Sequence, residues 1–201
     1  MTQNEKISIL KKWNLTEEEL TEIINENPSM RGLMLGYIAE YKLRKMHFTD
    51  PRFSNVIKDD DHDRRKKGDL RVTYKGREVL IECKSLQTNT IRKTESGYIA
   101  KYQCDASDRR KVTFSDGSTI ETTCLRVGEF DIIAVNLFSF EEKWRFAFAL
   151  NSELPRSKYS KYSEPQKNEL LTSIMPISLP LQEPYVDDIF ILLDRLVNDL
   201  H

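Results

Sequence analysis

Apolar residues first recur at helical spacing. Leu20, Ile23 and Ile24 follow an acidic stretch, and Thr16 precedes Glu19 by three residues, the arrangement of a capping box. Pro28 and Ser29 then punctuate the chain, and Ser29 is placed to cap a second helix from about Met30 to Met46, closed off by Asp50-Pro51. Beyond this break the period shortens to two. "RVTYKGREVLIECKS" reads as a hairpin turning at Lys75-Gly76, and "KVTFSDGSTIETTCL" as another turning at Asp116-Gly117. "FDIIAVNLF" (130–138) and "WRFAFAL" (144–150) form a third pair around "SFEEK". The run from Phe130 to Phe138 is apolar on both faces, as a strand between two layers requires. Residues 151–168 are polar, basic and bounded by prolines, the pattern of a surface loop. A closing helix is expected over 184–200, with Pro184 near its start and apolar residues at 186, 189, 190, 193, 196 and 197.

Helices at both ends of a strand-rich middle predict a mixed α/β fold around a central sheet, with the Asp-Gly hairpin as an insertion. The 201 residues are expected to form a single domain: N-terminal helices over 5–47, a core over about 48–150, and a basic loop and helix over 151–201. There is no internal repeat.

Composition narrows the class only slightly. With 39% apolar and 31% charged residues the chain is ordinary for a globular protein, and its net charge of −1 points to no particular partner. Local bias says more: "RRKK" (64–67), "DRRK" (108–111) and "RSKYSK" (156–161) are basic, while "DDDHD" (59–63) is acidic. No apolar run is long enough to span a membrane, and "MTQNEKISIL" lacks the layout of a signal peptide. Three cysteines at wide spacing match no zinc pattern and fit a reduced, cytoplasmic protein.

The candidate chemistry lies in residues 68–86. Folding the hairpin at Lys75-Gly76 pairs Leu70 with Ile81 and brings Asp69 opposite Glu82, with Lys84 two residues on and on the same face. Residues 70, 72, 79, 81 and 83 form the opposite, apolar face. Adjacent carboxylates repel, and burying them without a partner is costly. A divalent cation resolves the conflict, and hard oxygen ligands suit Mg²⁺, with Mn²⁺ as a substitute. Such an ion activates water and neutralises phosphate charge, with Lys84 beside it, so the chemistry implied is phosphodiester hydrolysis. The competing interpretation is an exposed hairpin face whose like-charge pair is tempered by Lys84. A one-residue slip in register would move Asp69 to the other face.

Asp69, a short turn and "LIECKS" resemble the PD-(D/E)xK phosphodiesterase superfamily, which includes most type II restriction endonucleases. The chain departs from the pattern at its first motif, with Gly68-Asp69 in place of Pro-Asp. The close resemblance covers residues 68–86, and the helix–hairpin–strand order extends it loosely over about 30–150. It implies a restriction-endonuclease-like mixed sheet flanked by helices. It also implies Asp69 and Glu82 as metal ligands assisted by the Cys83 carbonyl, and Lys84 as the catalytic lysine. Members often add an acidic residue from the preceding helix. Glu40 suits that role, three residues after Tyr37 and seven after Leu33 on the stripe expected to face inward. Asp61, His62 and Asp63 are weaker metal candidates.

A nuclease must also neutralise backbone phosphates. The candidates are Arg92 and Lys93; Arg109, Arg110 and Lys111; and Arg156, Lys158 and Lys161, with Tyr159 and Tyr162 interleaved as stacking faces. Residues 87–127 are longer than a minimal crossover needs, and elements of this kind supply base contacts in restriction endonucleases. The expected function is therefore metal-dependent cleavage of double-stranded DNA by a type II restriction endonuclease, acting as a homodimer. The alternatives are a repair, recombination or mobile-element nuclease of the same fold, or a DNA-binding module that does not cleave.

Overall fold

A computed structural model describes residues 8–58 and 68–198. The run 59–67, with Asp61, His62, Asp63 and the RRKK stretch, lies outside the described residues. The chain divides into two compact units, Met1–Ile38 and Ala39–His201.

The first unit is helical. A short helix α1 (Ile9–Trp13) ends at Asn14 in the left-handed conformation. Helix α2 (Glu17–Glu26) opens with the expected capping box: Glu19 N–H donates to the Thr16 hydroxyl at 3.1 Å, and Thr16 N–H donates to the Glu19 carboxylate at 2.8 Å. Helix α3 (Pro28–His47) begins two residues earlier than expected, with proline in the first turn, where its missing N–H costs nothing, and continues into the second unit.

The second unit is mixed α+β. Its central sheet has the order β1-β2-β3-β8-β9, built from β1 (Phe53–Ile57), β2 (Leu70–Tyr74), β3 (Arg77–Ser85), β8 (Ile132–Asn136) and β9 (Phe146–Leu150). Only the β3–β8 pairing is parallel; the other neighbours are antiparallel. The crossover between those parallel strands is built of strands: β4 (Arg92–Thr94), β5 (Gly97–Gln103), β6 (Asp105–Thr113) and β7 (Thr119–Cys124). β6 and β7 form a two-stranded ribbon, and β4 and β5 join β10 (Ile174–Leu179) in a separate three-stranded sheet. Short helices α4 (Phe138–Glu141) and α5 (Glu164–Glu169) fill connections, and α6 (Ile189–Asn198) lies near the C-terminus.

All five residues of β8 and all five of β9 are buried, as the two-sided apolar pattern requires. One face packs against Ala39 and Leu43 of α3 and Ile189, Leu192 and Leu193 of α6. The other, through Ile133, Val135, Ala147 and Ala149, packs against Ala100 and Tyr102 of β5 and Met175 and Ile177 of β10. Helices therefore flank one face of the central sheet, while the three-stranded sheet covers the other. Fully burying a leucine- or isoleucine-sized side chain in such layers contributes about 1.5–3 kcal/mol.

Three expectations shift. The closing helix starts at Ile189, because Val186 is held in a backbone bridge to Phe148 and Asp188 accepts from Phe190 N–H at 2.9 Å. The Asp116-Gly117 hairpin carries a longer turn: the register ends at Thr113–Thr119, and Phe114 N–H donates to the Ser118 carbonyl. Residues 151–168 are more ordered than a surface loop, since α5 begins at a second capping box between Ser163 and Gln166.

Candidate active site

The Lys75-Gly76 turn sets the geometry. Both residues have positive φ, 47° and 81°, as a two-residue hairpin turn demands. The register that follows runs from Tyr74–Arg77 to Leu70–Ile81. Leu70, Val72, Val79 and Ile81 enter the core beneath α3 and α6, and Cys83 packs against its edge. Glu82 and Lys84 therefore point the other way.

The ladder stops at Leu70, and Asp69 lies one residue beyond it. Its N–H donates to the Ile81 carbonyl at 2.8 Å, and its Oδ2 accepts from Cys83 N–H at 2.7 Å. The aspartate is thus tied to the two residues that bracket Glu82. Gly68 makes this possible. Its φ of +72° is open to glycine and closed to proline, and a Cβ there would meet the Ile81 carbonyl oxygen at 3.1 Å. A proline could not take this position in the backbone that the chain adopts.

Glu82 retains only 8% of its exposure. Lys84 Nζ pairs with its Oε1 at 2.7 Å and also approaches the Asp105 carbonyl at 3.4 Å. Burial, then the charge on Asp69, pushes the Glu82 carboxyl up to about 7, against the pull of Lys84. Burial works against the charge on Lys84, yet Glu82 and Asp69 outweigh it and hold the ammonium above the usual lysine value. Two carboxylates share one ammonium, and the surplus negative charge raises both groups. Burial and the same carboxylates, with Glu40, lift the Cys83 thiol well above its ordinary range.

No known protein family, curated protein or solved structure matches this chain. The site must therefore be judged on its own chemistry.

Glu40 comes close enough for its charge to act on Cys83, and Lys58 forms an ion pair with it. The stripe used to place it differs from the expectation: Leu33 is 62% and Tyr37 46% exposed, whereas Ala39 and Leu43 are the buried positions of α3. Among the described residues, no group of three or more His, Cys, Asp or Glu side chains is disposed to hold a metal ion. The donors beside β3 are the Asp69 and Glu82 carboxylates and the Cys83 carbonyl. All are oxygens, the kind Mg²⁺ takes, and their surplus charge is what a cation would neutralise.

The basic residues separate into different settings. Arg109 and Lys111 lie on the exposed face of β6. Arg110, between them, turns inward to a two-pronged ion pair with Glu129 and donates to the Cys124 carbonyl at 3.2 Å. Arg156 spends its guanidinium on the carbonyls of Leu154 and Ser152. Arg92 and Lys93 are exposed on β4, and Lys161 is exposed in the loop before α5. Arg109, Lys158 and Tyr159 meet at the lining of one polar cavity of about 530 Å³.

No sequence pattern marks Glu129. It adds to the charge on Glu82, accepts from Arg126 N–H at 2.9 Å and pairs with Arg110 across 19 positions of chain. No local period marks such a contact.

Proposed function

We propose that the chain is a Mg²⁺-dependent deoxyribonuclease of the PD-(D/E)xK type, with a restriction-endonuclease-like core, hydrolysing phosphodiester bonds of double-stranded DNA. The observation that carries this reading is a buried Glu82 charge-coupled to Asp69 and ion-paired to Lys84 on a strand that otherwise faces a core. A purely structural strand gains nothing from such a cluster, since burying charge costs more than packing apolar groups there. Asp69 and Glu82, with the Cys83 carbonyl, would hold the ion, which supplies a water of lowered pKa and neutralises phosphate charge. Asp69 is kept in place by Cys83 N–H, and Lys84 brings a permanent positive charge towards the phosphate. The role proposed is type II restriction, and cutting both strands of a palindrome then favours a homodimer.

The second reading is a DNA-binding module that does not cleave. The lack of an assembled group of three metal-binding side chains among the described residues favours it.

Incubation with mixed-sequence linear, plasmid and junction DNA, in Mg²⁺, Mn²⁺ or EDTA, separates these. Discrete metal-dependent bands from linear duplex support restriction, and cleavage confined to junctions supports a repair or recombination nuclease. DNA that is bound yet intact in every metal overturns the nuclease reading.

A further inference from the structure

The polar cavity of about 530 Å³ lies between the β6–β7 ribbon and the segment around 157–174. Its volume is within the range of small-molecule sites. Two cations, Arg109 and Lys158, stand in its lining, and neither forms an ion pair with a described carboxylate. Hydroxyl groups are concentrated beside them. Thr122 and Tyr162 share a hydrogen bond of 2.8 Å, and Ser173 Oγ lies 3.5 Å from Cys124 Sγ. Tyr159 meets Tyr162 edge to face, with ring centroids 5.0 Å apart, and remains 49% exposed, so ring surface is open to a stacking partner. Glu121, opposite Lys111 in the ribbon, gives the lining one acceptor of negative charge.

Free cations, clustered hydroxyls, an open aromatic ring and a single carboxylate make a complementary set. The cations and hydroxyls match a phosphate and sugar, Tyr159 matches a base face, and Glu121 matches an amino group on a base edge. The cavity also adjoins the charged cluster. Cys104 N–H donates to the Ser173 carbonyl at 2.7 Å, and the next residue, Asp105, offers its carbonyl to Lys84.

We propose that this cavity takes one unpaired nucleotide of a DNA strand beside the cleavage centre. It rests on the nuclease reading for the identity of that strand. A base inside a duplex cannot enter a concave site without leaving its stack, so an unpaired or extrahelical nucleotide is the natural occupant. The ribbon and its cavity thereby favour DNA in which one base beside the scissile bond is unpaired or turned out of the duplex.

The test uses the full chain in EDTA, so that nothing is cut. Deoxycytidine 5′-monophosphate, deoxycytidine and inorganic phosphate are titrated separately by calorimetry. The expected result is that the nucleotide binds more tightly than either part. Arg109→Ala or Lys158→Ala should each weaken it about ten-fold, as loss of a charge-assisted contact does. Tyr159→Ala should weaken it, while Tyr159→Phe retains it. Phosphate binding as tightly as the nucleotide overturns the proposal, as does nucleotide binding unchanged in the Arg109 and Lys158 variants. A wild type that binds the nucleotide in the expected way yet cuts no DNA supports the cavity and defeats the nuclease reading. A wild type that cuts gapped DNA no better than intact duplex, and no less in the Arg109→Ala variant, sinks the cavity and leaves the nuclease.

Discussion

Two hairpins in this chain share a glycine turn and differ in almost everything else. The β2–β3 hairpin pairs without interruption, its tight turn lies in the central sheet, and its charges are buried and coupled. The β6–β7 ribbon shifts register between Asp105 and Arg110, closes on a longer turn, and carries Arg109 and Lys111 on an exposed face. The difference shows where charge can act. In the first hairpin a carboxylate and an ammonium hold each other out of water. In the ribbon they are hydrated, and holding them there costs little.

The sharpest way to break the comparison is to remove a charge from each. Under the nuclease reading, Lys84→Ala should lower DNA cleavage by about 10²–10³-fold, measured in single-turnover assays. Normal cutting by that variant removes Lys84 from the mechanism. The pH dependence of metal-free stability comes next. Between about pH 4.5 and 7 the folded protein retains a proton on Glu82 that the unfolded chain has released. Stability is therefore full below that window, falls as pH rises through it, and levels off above it. The loss is on the order of 3 kcal/mol. Urea melts in EDTA should show this slope in the wild type and its loss in Glu82→Gln.

A smaller effect separates neighbours on one strand. Arg110→Ala should lower stability by about 2 kcal/mol, because Glu129 loses a charged partner. Arg109→Ala should leave thermal unfolding within about 0.5 kcal/mol of the wild type, as exposed substitutions do. If both unfold alike, the inward and outward assignments on β6 are wrong. Smallest is the turn itself. Gly76→Ala and Gly117→Ala each force a side chain into positive φ with open space around it, at about 1 kcal/mol apiece. Amide exchange should spread the Gly76 effect over the central sheet and confine the Gly117 effect to the ribbon.

Features governed by local rules were legible in the sequence. The Thr16–Glu19 capping box, the Lys75-Gly76 register and the two-sided burial of β8 follow from spacing alone. β10 escaped notice because Pro176 argues against a strand. The structure places it at the edge of its sheet, where proline costs little. β1 is short, with mostly exposed side chains, and gives no alternating signal. At the site, the register predicts Asp69 opposite Glu82, whereas the ladder ends at Leu70–Ile81 and Asp69 bonds to Ile81 and Cys83 on either side of Glu82. The aspartate's departure from the ladder depends on the φ of Gly68, which no apolar period encodes. Glu129 and the lining of the polar cavity depend on contacts between segments far apart in sequence, so composition could only mark Arg109, Lys158 and Tyr159 as basic or aromatic.

The crossover from β3 to β8 has a further consequence. Because β6 and β7 form a sheet of their own, the turn and the exposed positions of that ribbon can change without altering the register of the parallel neighbours β3 and β8. A ribbon attached in this way tolerates variation at its tip: substitutions at the exposed positions of β6 and β7 should leave Glu82 and Lys84 where they are.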